Sequence, residues 1–94
     1  MHLSTQPRTF PTGTLLVTQR VSETLNPADV IAALKRHTSA DWGELCRDDR
    51  EENERALREG GRLFSVYRDR NQVRFYIITE ADRSATTVLL PEDY

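Results

Sequence analysis

Two stretches in the second half of the chain limit its possible folds more than any other feature. Arg62 to Arg68 sets Leu63, Ser65 and Tyr67 against Phe64 and Val66, and Val73 to Thr79 sets Val73, Phe75 and Ile77 against Tyr76 and Ile78. A period of two is the signature of a strand. Only the four polar residues Asp69-Arg70-Asn71-Gln72 separate the runs. The two therefore pair as an antiparallel hairpin, with Asn71 the residue expected at positive φ. By parity, Leu63, Tyr67, Phe75 and Ile77 are expected to face the core, and Arg62, Arg68, Arg74 and Tyr76 to share the opposite face.

The rest of the chain supplies what such a hairpin packs against. Thr86 to Leu90 reads as a further strand, reached through the turn Glu80-Ala81-Asp82-Arg83-Ser84 and ended by Pro91. Upstream, Thr14 to Val21 alternates Leu15, Val17 and Gln19 against Leu16, Thr18 and Arg20, which predicts a first strand. Asn26-Pro27 is a helix start, with a capping side chain, a proline at the first helical position and Asp29 in the first turn. That helix is expected to run to about His37 and to bury Pro27, Val30, Ile31, Ala33 and Leu34. Lys35 and Arg36 fall in its last turn, where cations complement the helix dipole.

A second helix is expected over about residues 49–59. Asp48 and Glu51 form a capping-box-like start and Gly60-Gly61 a stop. Nine of the twelve residues from Asp48 to Glu59 are charged, so only Ala56 and Leu57 are expected to be buried there. The predicted order is β-α-α-β-β-β. It defines an α+β fold, a small antiparallel sheet with two helices packed on one side. Residues 1–12, with Pro7 and Pro11 and no periodicity, read as a flexible arm preceding a single domain over 13–94.

Ninety-four residues suffice for one core. Leu15-Leu16-Val17 and Val88-Leu89-Leu90 are apolar runs of three residues, and the longest, Val30 to Leu34, holds five, far below the roughly twenty of a spanning helix, so no membrane partner is expected. Neither a signal-peptide pattern nor more than one cysteine, Cys46, is present. These features fit a reducing cytoplasm. Net charge is −2, and residues 41–60 carry eight acidic groups against four basic ones. A nucleic-acid binder usually has the opposite balance, so nucleic acid is not the expected partner.

Several side chains are candidates for a site. His2 and His37 do not share a metal-ligand spacing, the acidic segment lacks the alternation and glycine of a calcium loop, and no cofactor motif is present. No metal, cofactor or catalytic residue is assigned. His37 is expected at a solvated helix end, and Cys46 as a packing residue. Trp42, in the loop Asp41-Trp42-Gly43-Glu44, either plugs one end of the core or anchors an interface. The acidic helix reads either as a solvated face or as a patch that docks on a basic surface. Arginines and a tyrosine on one sheet face, Arg62, Arg68, Arg74 and Tyr76, can cradle phosphate and stack bases, although such residues also serve solubility.

The stretch Asp41-Trp42-Gly43-Glu44-Leu45, with Asn53, Ala56-Leu57, Gly60-Gly61-Arg62-Leu63, Ser65, Tyr67 and the closing run Ile77 to Tyr94, resembles a family of small bacterial proteins labelled plasmid-related. They accompany plasmids and integrative conjugative elements. The resemblance covers roughly residues 37–94 and carries no activity with it. It implies a cytoplasmic accessory protein of mobile DNA, directed at host defence or plasmid maintenance. Two functions follow as expectations. The first is a non-enzymatic interaction module that binds a host or element-encoded protein through the acidic helix, Trp42 with Asp41 and Glu44, and the Asp82-Arg83 turn. The second is an RNA-cleaving, toxin-like enzyme, since β-α-α-β-β-β is similar to the arrangement of ribosome-dependent toxins. It would use Arg62, Arg68, Arg74 or Arg83 to stabilise developing phosphate charge and Tyr76 to handle a proton. A DNA mimic would need far more negative charge than −2. An edge strand, 14–21 or 86–90, offers a route to a homodimer.

Overall fold

The computed structural model describes residues 9–94. They form an α+β domain with strand β1 (Thr14–Val17), helices α1 (Gln19–Thr24), α2 (Pro27–Thr38) and α3 (Arg47–Glu59), strands β2 (Leu63–Arg68), β3 (Arg74–Thr79) and β4 (Ala85–Leu89), and a closing 3₁₀ turn over Pro91–Asp93. The four strands make one sheet in the order β1-β4-β3-β2. The hairpin pairs antiparallel as its alternation predicts, with Leu63 opposite Thr79 and Arg68 opposite Arg74, and β4 continues antiparallel beside β3. Of the expected N-terminal arm, residues 1–8 lie outside the described residues. Phe10 stacks on Trp42 at 6.2 Å between ring centroids, and the Thr12 carbonyl accepts from the Thr86 hydroxyl at 2.9 Å.

The first strand departs from expectation. It ends at Val17, and residues 19–24 turn into an additional helix instead of continuing to Val21. Thr18 is the reason. Its Oγ1 accepts from the Val21 amide at 3.2 Å as an N-cap and donates to Asp93 Oδ2 at 2.8 Å, so one hydroxyl ends the strand, starts α1 and ties down the C-terminal turn. Because α1 sits between β1 and the rest, β1 reaches the sheet by crossover and pairs parallel with β4, Thr14 against Ala85 and Val17 against Val88. The sheet is therefore mixed where an antiparallel one was expected.

Parity holds. One sheet face carries Tyr67, Phe75, Ile77 and Val88, which pack with Val21 and Leu25 of the α1 region and Val30 and Ala33 of α2. Asn26 caps α2, its Oδ1 accepting from the Ala28 amide at 2.9 Å. Pro27 and Ile31, expected inside, are exposed. A second cluster gathers Trp42, Leu45, Leu63 and Val66, with Ala56 and Leu57 of α3 half-buried against it. The N-cap of α3 is Cys46, whose side chain makes no capping hydrogen bond, so the Asp48–Glu51 box does not form. At the hairpin, Gln72 and not Asn71 takes positive φ, 65°. Asp69 organises that turn through its Oδ1, which accepts from the amides of Asn71 at 2.8 Å and Val73 at 2.9 Å.

The outer edge of β2 is sealed. Asn53 is the buried residue of α3, and its amide bonds both main-chain groups of Phe64: Nδ2 donates to the carbonyl at 2.6 Å and Oδ1 accepts from the amide at 3.2 Å. Beyond it, the Val66 amide donates to the Trp42 carbonyl at 3.2 Å and the Glu44 amide to the Val66 carbonyl at 2.8 Å. Gly43 makes this approach possible. It sits at φ 75°, and a Cβ there would collide with the Val66 carbonyl.

Candidate functional site

Several residues singled out in the sequence hold the fold together. Trp42 is buried, stacked on Phe10, and its Nε1 donates to Glu54 Oε2 at 2.9 Å; it is the core plug of the two readings. Arg83 clasps the far end of the molecule, donating to the carbonyls of Ala56 at 3.1 Å, Glu80 at 3.1 Å and Ala81 at 3.1 Å as well as that of Gly61. That guanidinium satisfies the end of α3 and the turn before β4 together. Asp82 is exposed and accepts from the Ser84 amide at 2.9 Å; the Ser84 side chain first, and this amide with it, hold its carboxyl below the usual carboxylate range.

His37 is not a solvated helix end. It is fully buried, with Nδ1 2.6 Å from Ser65 Oγ and Nε2 2.9 Å from Thr79 Oγ1, and Thr79 continues to Thr86 Oγ1 at 2.7 Å. Two hydroxyls satisfy either neutral tautomer. Burial, with the nearby Arg83 charge, pushes its pKa down to about 4. Cys46, expected to pack, is exposed.

The remaining candidates lie at the surface in separate places. Asp41 pairs with Arg36 at 2.7 Å, and this bond holds its carboxyl low. Glu44 pairs with Arg68 at 2.9 Å. The two acids flank the segment along β2, while Asp82 and Arg83 belong to the turn at the other end of the hairpin. Phe10 links the two ends, with Arg83 over its ring at 5.8 Å and Trp42 stacked on it, but Trp42 itself is buried. The alternative set fares differently: Arg68, Arg74 and Tyr76 do share the sheet face opposite the α2 helix. Arg68 is engaged by Glu44, and Arg62 Nη2 donates to the Tyr94 hydroxyl at 2.7 Å.

On that face lies an open groove of about 340 Å³ between α3 and the hairpin. Its floor is aromatic. Phe64 and Tyr76 meet at 4.9 Å between centroids, and Tyr94 stands edge-on to Tyr76 at 6.0 Å with Arg62 over its ring at 5.9 Å. Its wall is acidic, formed by Asp49 and Glu52, one turn apart on α3, with Asn53 at the base. Glu52 also accepts from Arg55 at 3.2 Å. Sequence reasoning found Arg62 and Tyr76 and offered the acidic helix of Asp49 and Glu52 as a docking patch, but did not single out Phe64 or Tyr94. Phe64 could have been found, because it shares Tyr76's face at the diagonal position. Tyr94 gave no signal, since it reaches the groove only because Asp93 anchors the closing turn to Thr18 and Arg20.

Arg62 already lies over the Tyr94 ring, and a further cation can settle at the Phe64 and Tyr76 rings beside the two carboxylates. Among the described residues no group of three or more His, Cys, Asp or Glu side chains is placed to hold a metal ion, and no helix is long and apolar enough to cross a membrane. Comparison with known protein families, with curated proteins and with solved structures finds no match for the chain.

Proposed function

We propose that the chain is a non-enzymatic protein-interaction module that takes a basic segment of a protein partner into the groove between α3 and the hairpin. The observation that carries this reading is the pairing of an aromatic floor, Phe64, Tyr76 and Tyr94, with an acidic wall, Asp49 and Glu52. A Lys or Arg side chain gains there from π faces and carboxylates at once, and the surplus of acid in residues 41–60 favours approach of a cationic partner. The resemblance of residues 37–94 to plasmid-related proteins supports a role as a cytoplasmic accessory of mobile DNA, with a host or element-encoded protein as the partner.

The RNA-cleaving reading rests on Arg62, Arg68, Arg74 and Tyr76, three of which share the open sheet face. It ranks second because two of its cations are already engaged, Arg68 by Glu44 and Arg62 by Tyr94, and because Asp49 and Glu52 would face an incoming phosphate. Amide chemical-shift mapping separates the two. Titration with a short Lys/Arg-rich peptide is expected to move Asn53, Phe64, Tyr76 and Tyr94, and a single-stranded RNA oligonucleotide is expected to leave them in place. Shifts caused by the RNA and centred on Arg68, Arg74 and Tyr76, with none from the peptide, would reverse the ranking.

A further inference from the structure

At the opposite side of the sheet from the sealed β2 lies β1, and its outer edge is open among the described residues. The Thr14 amide donates to the Ser84 carbonyl at 3.0 Å and the Thr18 amide to the Val88 carbonyl at 3.1 Å. Even-numbered residues therefore turn their main-chain groups toward β4, and Leu15 and Val17 turn theirs outward. The side chains here are also uncovered: Leu15, Leu16 and Val17 are 53%, 48% and 47% exposed. Beside Val17, on the face carrying α1 and α2, an apolar groove of about 330 Å³ runs past Leu25, Pro27 and Leu34 to Ile31, which is 55% exposed. An aliphatic edge with unpaired main-chain groups is the kind that soluble proteins otherwise shield with charge, proline or a covering element.

We infer that β1 is a self-association edge and that its occupant is the β1 of a second copy, antiparallel across a twofold axis passing beside Leu16. The register follows from which residues point outward. Centring on Leu16 pairs Leu15 with Val17 of the second copy, and Val17 with Leu15, so every outward main-chain group of β1 meets a partner. The neighbouring registers fail. Centring on Val17 brings Leu15 opposite Gln19, the first residue of α1, and centring on Leu15 brings Val17 opposite Gly13, which is at φ 63° and not extended.

The chemistry of the edge fits a copy of itself. A twofold axis normal to the sheet keeps the α1–α2 faces of both copies on one side, so each Leu15 lands beside the other copy's Val17 at the mouth of its groove. No charged residue lies in Thr14–Val17 or lines that groove, so the identical surfaces meet without like-charge repulsion. The contact is an isologous extension to an eight-stranded sheet, within the usual size of open sheets. It is independent of the α3 groove, which borders β2 and β3.

The test uses the full chain. Sedimentation velocity across a concentration series is expected to show a monomer–dimer equilibrium for wild type and a monomer for Leu16→Glu, which sets two carboxylates opposite each other. Mixing Leu16→Glu with Leu16→Lys is expected to restore the dimer, because only a Leu16-centred register brings the two together. In a Cys46→Ser background, Leu16→Cys is expected to form an intermolecular disulfide on mild oxidation, its Cα atoms about 4.5 Å apart across a non-hydrogen-bonded pair. Leu15→Cys is expected not to. A wild type that stays monomeric throughout overturns the inference, as does a dimer that survives Leu16→Glu or a mixture that stays monomeric.

Discussion

At His37 the sequence suggests a titratable surface group and the fold makes it a neutral core residue. Its pKa of about 4 in the folded protein lies below the ordinary value of 6.5, so the unfolded chain takes up a proton first as pH falls. The stabilisation is present above 6.5 and is lost on descent toward 4. Between pH 7 and pH 4.5 this single group is expected to remove about 2 kcal/mol of stability. Urea denaturation of wild type at those two pH values measures the loss, and the His37→Gln variant should lack that share of it. Arg83 acts at the same scale through its four carbonyl partners. Arg83→Ala removes the side-chain donor that the Ala56 carbonyl shares with the Gly60 amide, together with the bonds to Gly61, Glu80 and Ala81, and is expected to cost about 2 kcal/mol by the same assay. Neither environment could be read from spacing, because Ser65, Thr79 and Ala56 come to these side chains only through tertiary packing.

Among the elements, those defined by neighbours in sequence were legible and those defined by distant partners were not. The Asn26-Pro27 cap, the length of α2 and the hairpin with its two faces follow from local signals, and the structure keeps all three. The strand expected over residues 14–21 stops at Val17 because Thr18 finds Asp93, seventy-five positions away, and starts a helix there. The parallel placement of β1 has no local signature at all. Nor does the sealing of β2 by Asn53, the one buried residue in a helix that otherwise reads as charge. Asn53→Ala should expose the Phe64 main chain and cost about 2–3 kcal/mol. Asn53→Asp should recover only part of that, since a carboxylate can accept from the amide but cannot donate to the carbonyl. Amide exchange at Phe64 is expected to speed up in both variants, reporting the opened edge directly.

The molecule as a whole has two different flanks. On the β2 side Asn53 and the Trp42–Glu44 segment close the edge and leave the groove above it, whereas on the β1 side the edge is open among the described residues. The candidate site was only partly legible at this scale: Arg62 and Tyr76 came from parity, while Asp49, Glu52 and Tyr94 joined them through the docking of α3 and the folding back of the C-terminus. A twofold dimer through β1 carries its grooves at the two far ends of the joined sheet, so Leu16→Glu is expected to leave the affinity of one groove for a short peptide unchanged. Isothermal titration calorimetry with a Lys/Arg-rich peptide tests the groove most directly. The account predicts one peptide per chain, an affinity reduced about tenfold in an Asp49→Asn, Glu52→Gln variant, and no binding of the same peptide with its cations replaced by glutamate. Equal affinity in wild type and variant, or no binding to either, would contradict it.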